Sequence, residues 1–240
     1  MSFSVTKEMM AFAVATAQEA GDAIMEIYNT NFDVRSKDDD SPVTEADEKG
    51  ETLIRTRLEN AYPEIPLIGE ESYAAGHKPA VDGGLFWLVD ALDGTKEFIN
   101  KRGEFTVNIA LIDAGVPVFG VVHAPAKKRT FWGGQSHGAF AANGGDEPRE
   151  ITTRTPRPDG LVVVTSRSHR SGEDEYLKQF TIKETVITGS SLKFCLIAAG
   201  EADLYPRMGP TSEWDTAAGH AVLLAAGGQM TQFDGSPFVY

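Results

Sequence analysis

The sequence has 240 residues, 41% of them hydrophobic, and its 22 Lys+Arg against 35 Asp+Glu leave a formal charge of −13. That length supports a full core in one large domain or two joined halves. The lone Cys195 excludes an intramolecular disulfide, and the acidity disfavours binding to a nucleic-acid polymer.

The first element is a helix over about Thr6–Tyr28, with Ala13, Ala17, Ala20, Ile24 and Ile27 on one face at helical spacing. This start has neither a basic leader nor a long apolar run. A protein without signal peptide or membrane span, and hence cytoplasmic, is expected. The charge-rich stretch from Asn31 to Pro42 reads as a solvated loop or hairpin. A second helix is predicted from about Thr44 to Leu58, with Leu53, Ile54 and Leu58 inward and Tyr62-Pro63 ending it. IPLIG is a short strand running into Gly69-Glu70-Glu71-Ser72.

Leu85 to Val89 reads as an apolar strand interrupted at Asp90. Phe105, Val107, Ile109 and Leu111 alternate as in a half-buried strand. Val116–Val122 is its predicted antiparallel neighbour, and Phe131-Trp132 and Gly138–Ala141 continue the meander. The polar, Gly- and Pro-rich stretch from Asn143 to Pro158 marks a subdomain boundary. Beyond it the pattern alternates. LVVVTS is a strand, Gly172–Phe180 a helix and Glu184–Ile187 a strand. Ser190–Ala199 is a helix holding Cys195, which reads as buried and inert. Asp203–Tyr205 is a strand, Asp215–Ala226 a helix and QMTQF a closing strand. GSPFVY follows abruptly, an ending compatible with a full product or with a longer native chain.

The strongest chemical signal is WLVDALDGTKEF, Trp87 to Phe98. Two carboxylates, Asp90 and Asp93, break an otherwise buried run, and Gly94 permits a sharp turn. If both face one cavity with the Leu92 carbonyl between them, the oxygen donors suit Mg²⁺. The Gly94 and Thr95 amides, opening a short helix, suit phosphate oxygens. Alone, this motif reads first as a capped turn. Other acidic positions recur in similar settings. Glu70 follows a strand end. Asp47, three places after Thr44, is a capping residue or more. Asp215 stands in SEWD before a small-residue helix, as its cap or as a ligand.

Taken together, GEES, WLVDALDGTKEF, SEWDTAAGHAVLLAAGG and SPVTEAD resemble the inositol monophosphatase superfamily over nearly the whole chain. DGTKEF and GSSLKFCLIAAGEADLYPRMGPTSEWD are similar to its CysQ-type 3'(2'),5'-bisphosphate nucleotidase branch. Ala91 departs from the pattern, standing where a proline is usual, and a modest effect is expected because the ligands remain. The resemblance implies a layered αβαβα sugar-phosphatase fold, mixed α+β and α/β, as in inositol monophosphatase and fructose-1,6-bisphosphatase. Residues 1–150 then form an α+β subdomain with most metal ligands. Residues 151–240 form an α/β subdomain bringing Asp215 and the nucleotide side.

The resemblance also implies two or three Mg²⁺ ions. Glu70, Asp90 and the Leu92 carbonyl hold the first; Asp90, Asp93 and Asp215 hold the second; Glu70 and Asp47 share a weaker third. Thr95, bonded to Asp47, orients the attacking water, and Asp93, Gly94 and Thr95 touch phosphate. Ser190, Lys193, Arg207 and Glu213 are candidates for the nucleotide side. The implied reaction is hydrolysis of the 3'-phosphate of adenosine 3',5'-bisphosphate, extending to 3'-phosphoadenylylsulfate. An inositol or sugar monophosphatase with the same metal site is the alternative, and a noncatalytic nucleotide- or metal-binding protein a more distant one. The implied partner is a small nucleotide, with no protein partner, in a monomer or homodimer, cytoplasmic or peripheral at the inner membrane face.

Overall fold

The elements follow in the order α1 (Lys7–Tyr28), β1 (Val34–Ser36), β2 (Pro42–Thr44), α2 (Glu45–Ala61), β3 (Leu67–Gly69), α3 (Glu70–Ala74), β4 (Leu85–Asp93) and α4 (Thr95–Ile99). Then come β5 (Thr106–Asp113), β6 (Val116–Ala124), β7 (Arg129–Gly134), β8 (Gly138–Asn143), β9 (Arg149–Ile151), β10 (Leu161–Ser166), α5 (Glu173–Leu177), β11 (Ile182–Thr188), α6 (Leu192–Ala198) and α7 (Glu213–Ala225). This is a computed structural model, and it describes residues 3–37, 42–82, 84–167 and 172–240. Ser41 of the SPVTEAD motif lies outside the described residues.

The frame is a seven-stranded sheet in the order β3-β4-β5-β6-β7-β8-β9, with β3 parallel to β4 and every other pairing antiparallel. Helices α1 and α2 cover one face: Ala13, Ala17, Ala20, Ile24, Ile54 and Leu58 join Trp87, Val89, Ile109 and Leu111 in one core. Helices α6 and α7 cover the other, where Cys195, Ala217 and Val222 meet Leu88, Ala110 and Phe131. A parallel pair, β10 and β11, lies beyond α6, with α5 in the crossover between them. The layers are thus helix, sheet, helix, sheet, a mixed α/β layered fold. Among the described residues no helix is long and apolar enough to cross a membrane.

The inward face predicted for α1 is buried as expected, and β1 and β2 make the hairpin. Several expectations change. The strand through Val107 is not half-buried; residues Thr106 to Ile112 are all buried, because helices lie on both faces of the sheet. The strand from Leu85 does not stop at Asp90 but continues to Asp93 through a bulge. The predicted closing strand QMTQF is absent: that segment makes only the isolated bridge Thr231–Pro237. Asp203–Tyr205 likewise contributes a single bridge, Leu204 to Val163. Within the Asn143–Pro158 stretch, β9 extends the large sheet.

The small-residue character of α7 has a steric reason. A Cβ on Gly120 of β6 would lie 2.4 Å from the Ala218 carbonyl oxygen, so helix and strand pack backbone against backbone. This close seat fixes the N-terminal end of α7 relative to the sheet.

Candidate active site

The site forms where β4 breaks its ladder. Asp90 pairs with Asn108 and Asp93 with Thr106, so three steps on β4 oppose two on β5. Residues three apart on a regular strand point to opposite faces. The extra residue returns Asp93 to the side of Asp90, and both line one cavity of about 210 Å³. Gly94 then turns the chain with φ +96° and hands it to α4 at Thr95.

Glu70 arrives from the neighbouring strand. Gly69 of β3 is in register with Val89 of β4, so Glu70, the next residue, stands beside Asp90. Asp215 arrives from the opposite face as the third residue of α7. Its Oδ2 accepts from the Thr211 hydroxyl at 2.9 Å and the Ser212 amide at 3.1 Å. The helix starts at Glu213, two residues before the predicted boundary, and Ser212 is its N-cap. One oxygen each from Glu70, Asp90 and Asp215 lie within 4.8 Å of one another.

Asp47 caps α2 and also reaches Thr95. Its Oδ2 accepts from the Thr44 amide at 2.8 Å and hydroxyl at 2.7 Å, capping α2. Its Oδ1 lies 3.1 Å from the Thr95 hydroxyl, which also lies 3.3 Å from the Leu92 carbonyl. Ser190 lines the cavity with φ +52°, and its carbonyl accepts from the buried Lys193 ammonium at 2.5 Å. Arg207 lines the same wall. Glu213 is exposed at the first position of α7 and is not among the cavity residues.

Three further side chains belong to the site that the sequence did not single out. Lys37, just after β1, places its ammonium 2.6 Å from carboxylate oxygens of both Glu70 and Glu71. Ser191 lies 2.8 Å from Asp93 Oδ2 and 2.6 Å from the Asp215 carbonyl. Asn108 donates to Ser191 at 2.9 Å. Ser191 adjoins a residue already picked out. Lys37 had only the signal of one of two bases, with Arg35, in a charged stretch, which names no partner.

Burial, followed by the charges of Glu70, Asp93 and Asp215, holds the Asp90 carboxyl well above the usual carboxylate range. Burial raises Glu70 to about 7 against the opposing pull of Lys37. Burial and then Asp93 raise Asp215 to about 7. Burial also lowers Lys193 to about 8 and pushes the Cys195 thiol up, which fits its inert reading. Three crowded carboxylates of this kind need a cation to ionise together. Among the described residues, Lys37 reaches Glu70, and no Lys or Arg ion pair reaches Asp90 or Asp215. An all-oxygen donor set with that unmet charge fits Mg²⁺.

The inositol monophosphatase family model matches residues 6–240. The 3'(2'),5'-bisphosphate nucleotidase CysQ of Escherichia coli strain K12 is 48% identical over 227 residues, spanning 93% of this chain and 90% of that protein. The crystal structure of CysQ from Bacteroides thetaiotaomicron superposes with a TM-score of 0.76 at 36% identity, covering 92% of this chain and 87% of that one. The extragenic suppressor protein suhB from Bartonella henselae superposes with a TM-score of 0.80 at 27% identity, covering 96% and 89%.

Proposed function

The chain belongs to the inositol monophosphatase family, and from that premise we propose that it is a magnesium-dependent 3'(2'),5'-bisphosphate nucleotidase. It removes the 3'-phosphate of adenosine 3',5'-bisphosphate, giving AMP and phosphate, and takes 3'-phosphoadenylylsulfate as a second substrate. The observation that carries this reading is the convergence of Glu70, Asp90 and Asp215 within 4.8 Å, in a cavity that also exposes Thr95.

Glu70, Asp90 and the Leu92 carbonyl would hold one ion, and Asp90, Asp93 and Asp215 would hold a second. Magnesium bound there supplies a water of lowered pKa and neutralises charge on the phosphoryl oxygens. A third ion shared by Glu70 and Asp47 would compete with the Lys37 ammonium for the Glu70 carboxylate. The Thr95 hydroxyl donates a hydrogen bond to Asp47, which leaves its lone pairs free to accept from the attacking water. The Gly94 and Thr95 amides face the phosphate, and Asp47 keeps Thr95 in place. Positioning and charge neutralisation carry most of the catalysis in phosphoryl transfer, so no covalent phosphoenzyme is invoked.

Lys193 and Arg207 form the basic wall of the cavity, and we assign them, with Ser190, to the nucleotide side. Residues 1–150 and 151–240 act as two subdomains that share the site. Every group named comes from one chain, so a monomer or homodimer suffices.

The deciding experiment is phosphate release with Mg²⁺, comparing adenosine 3',5'-bisphosphate with inositol 1-phosphate at matched subsaturating concentrations. A strong preference for the nucleotide is expected. A preference for inositol phosphate overturns the substrate and keeps the metal site. No turnover of either, with Mg²⁺ shown to bind, overturns the reaction.

A further inference from the structure

Helix α3 is one turn long, yet Glu70 is its first residue. A single turn closes too few hydrogen bonds to hold itself, so something else must fix the Glu70 backbone. That support comes from Glu51 of α2, a buried carboxylate outside the cavity. Its Oε2 accepts the Glu71 amide at 2.7 Å, and its Oε1 accepts the Ser72 amide at 2.9 Å. These are free amides of the first turn of α3, and bonds from them to a carboxylate are charge-assisted. Arg55, one turn further along α2, donates to the Ser72 hydroxyl at 2.5 Å.

Gly69 explains how Glu51 gets so close. Its backbone is extended, with φ −118° and ψ 150°, a conformation open to any residue. Space is the constraint: a Cβ there would lie 2.4–2.6 Å from the atoms of the Glu51 carboxylate. The glycine before Glu70 is therefore required by a side chain on another helix. Asp47 and Glu51 stand one turn apart on the buried face of α2. One helix thus sets both the Asp47–Thr95 contact and the position of Glu70.

We infer that Glu51 is a positioning residue for the metal site, acting through the amides of α3 and needing Gly69 to do so. The inference rests on the reading of Glu70 as a metal ligand. Removing a support of this kind typically lowers metal affinity about 10- to 100-fold.

The test is Mg²⁺ binding by isothermal titration calorimetry on Glu51→Gln, Gly69→Ala, the double variant and Glu70→Gln, each checked for folding by circular dichroism. Gly69→Ala keeps the Glu51 charge and displaces only its carboxylate, which separates positioning from a change in the local field. Both single variants are expected to raise the Mg²⁺ dissociation constant about tenfold or more. The double variant is expected to lose little beyond the worse single one, because both act through one contact. Folded single variants that bind Mg²⁺ within about twofold of the parent overturn the inference, as does a double variant whose losses multiply. If Glu70→Gln leaves Mg²⁺ binding unchanged, the ligand reading itself fails.

Discussion

The rings of Tyr73 and Trp214 meet at 5.5 Å between centroids, tilted by 57°. Tyr73 sits on α3, which begins with Glu70, and Trp214 immediately precedes Asp215. The two like-charged carboxylates at 4.8 Å or less are therefore carried by elements that touch through an aromatic pair. Such a pair contributes about 0.5–1.5 kcal/mol beyond its area burial.

Tyr73→Ala is accordingly expected to weaken Mg²⁺ binding by about two- to tenfold. Tyr73→Phe keeps the ring and is expected to bind as the parent does. Calorimetric titration of both checks this; an equal loss in the two variants would assign the effect to the phenol hydroxyl instead.

Asp90→Asn removes the most deeply buried charge of the cluster while keeping an oxygen for the Leu92 amide, now 2.9 Å from Asp90 Oδ1. Hydrolysis should fall below detection. The metal-free variant should nevertheless melt higher than the metal-free parent, by about 2–4 °C for each kcal/mol of relieved repulsion. Mg²⁺, which raises the parent's Tm, should leave that of the variant nearly unchanged. Differential scanning calorimetry with and without Mg²⁺ reads the two thermal effects, and phosphate release reads the loss of hydrolysis.

The raised carboxyls make the metal-free fold sensitive to pH in a definite direction. Asp90, Glu70 and Asp215 keep protons in the folded chain where the unfolded chain has lost them. Each of these groups makes the folded state bind more protons and contributes a fall in stability as pH rises above the usual carboxylate range, while His123 and His220, lowered to about 4 by burial, contribute a rise between about 4 and 6.5. Lys37, whose pKa is raised by Glu70 and Glu71, stays charged throughout and adds no slope. Saturating Mg²⁺ binds the ionised carboxylates and should flatten or reverse the trend. Chemical denaturation at a series of pH values, with and without Mg²⁺, measures it; a metal-free slope that saturating Mg²⁺ leaves unchanged would contradict the raised pKa values.

Thr95→Ala leaves every carboxylate in place and removes the hydroxyl between Asp47 and the Leu92 carbonyl. The kcat for phosphate release should fall about 100- to 10,000-fold, with Mg²⁺ affinity close to that of the parent. A Mg²⁺ affinity that falls in step with kcat would move Thr95 from water orientation to metal support.

Ala91 lies in the bulge and has no partner in the β4–β5 ladder. Proline is tolerated at such positions, so Ala91→Pro should fold and turn over within about tenfold of the parent. A several-hundred-fold gain in activity would show that the alanine loosens the site far more than this geometry suggests.

How much of this was legible in the sequence depends on the range of the interaction. The first helix, the Thr44–Asp47 cap, the meander and the three acidic motifs are set by local patterns: hydrophobic periodicity, capping chemistry and turn residues a few positions apart. Those signals located Glu70, Asp90, Asp93 and Asp215 and the resemblance that groups them. QMTQF shows the limit even of local reading, because a closing strand was expected there yet only the isolated Thr231–Pro237 bridge forms. The burial of both faces around Val107 and the approach of α7 at Gly120 depend on what other segments bring. So do the Lys37 ammonium at Glu70 and the Glu51 carboxylate beneath Gly69. The physical reason is that composition and spacing fix which groups a segment can offer, while distance between segments is decided only when the whole sheet and its helices close. The metal-binding chemistry was therefore written in the sequence, and the supports that hold its carboxylates together against their own repulsion were decided by the tertiary structure.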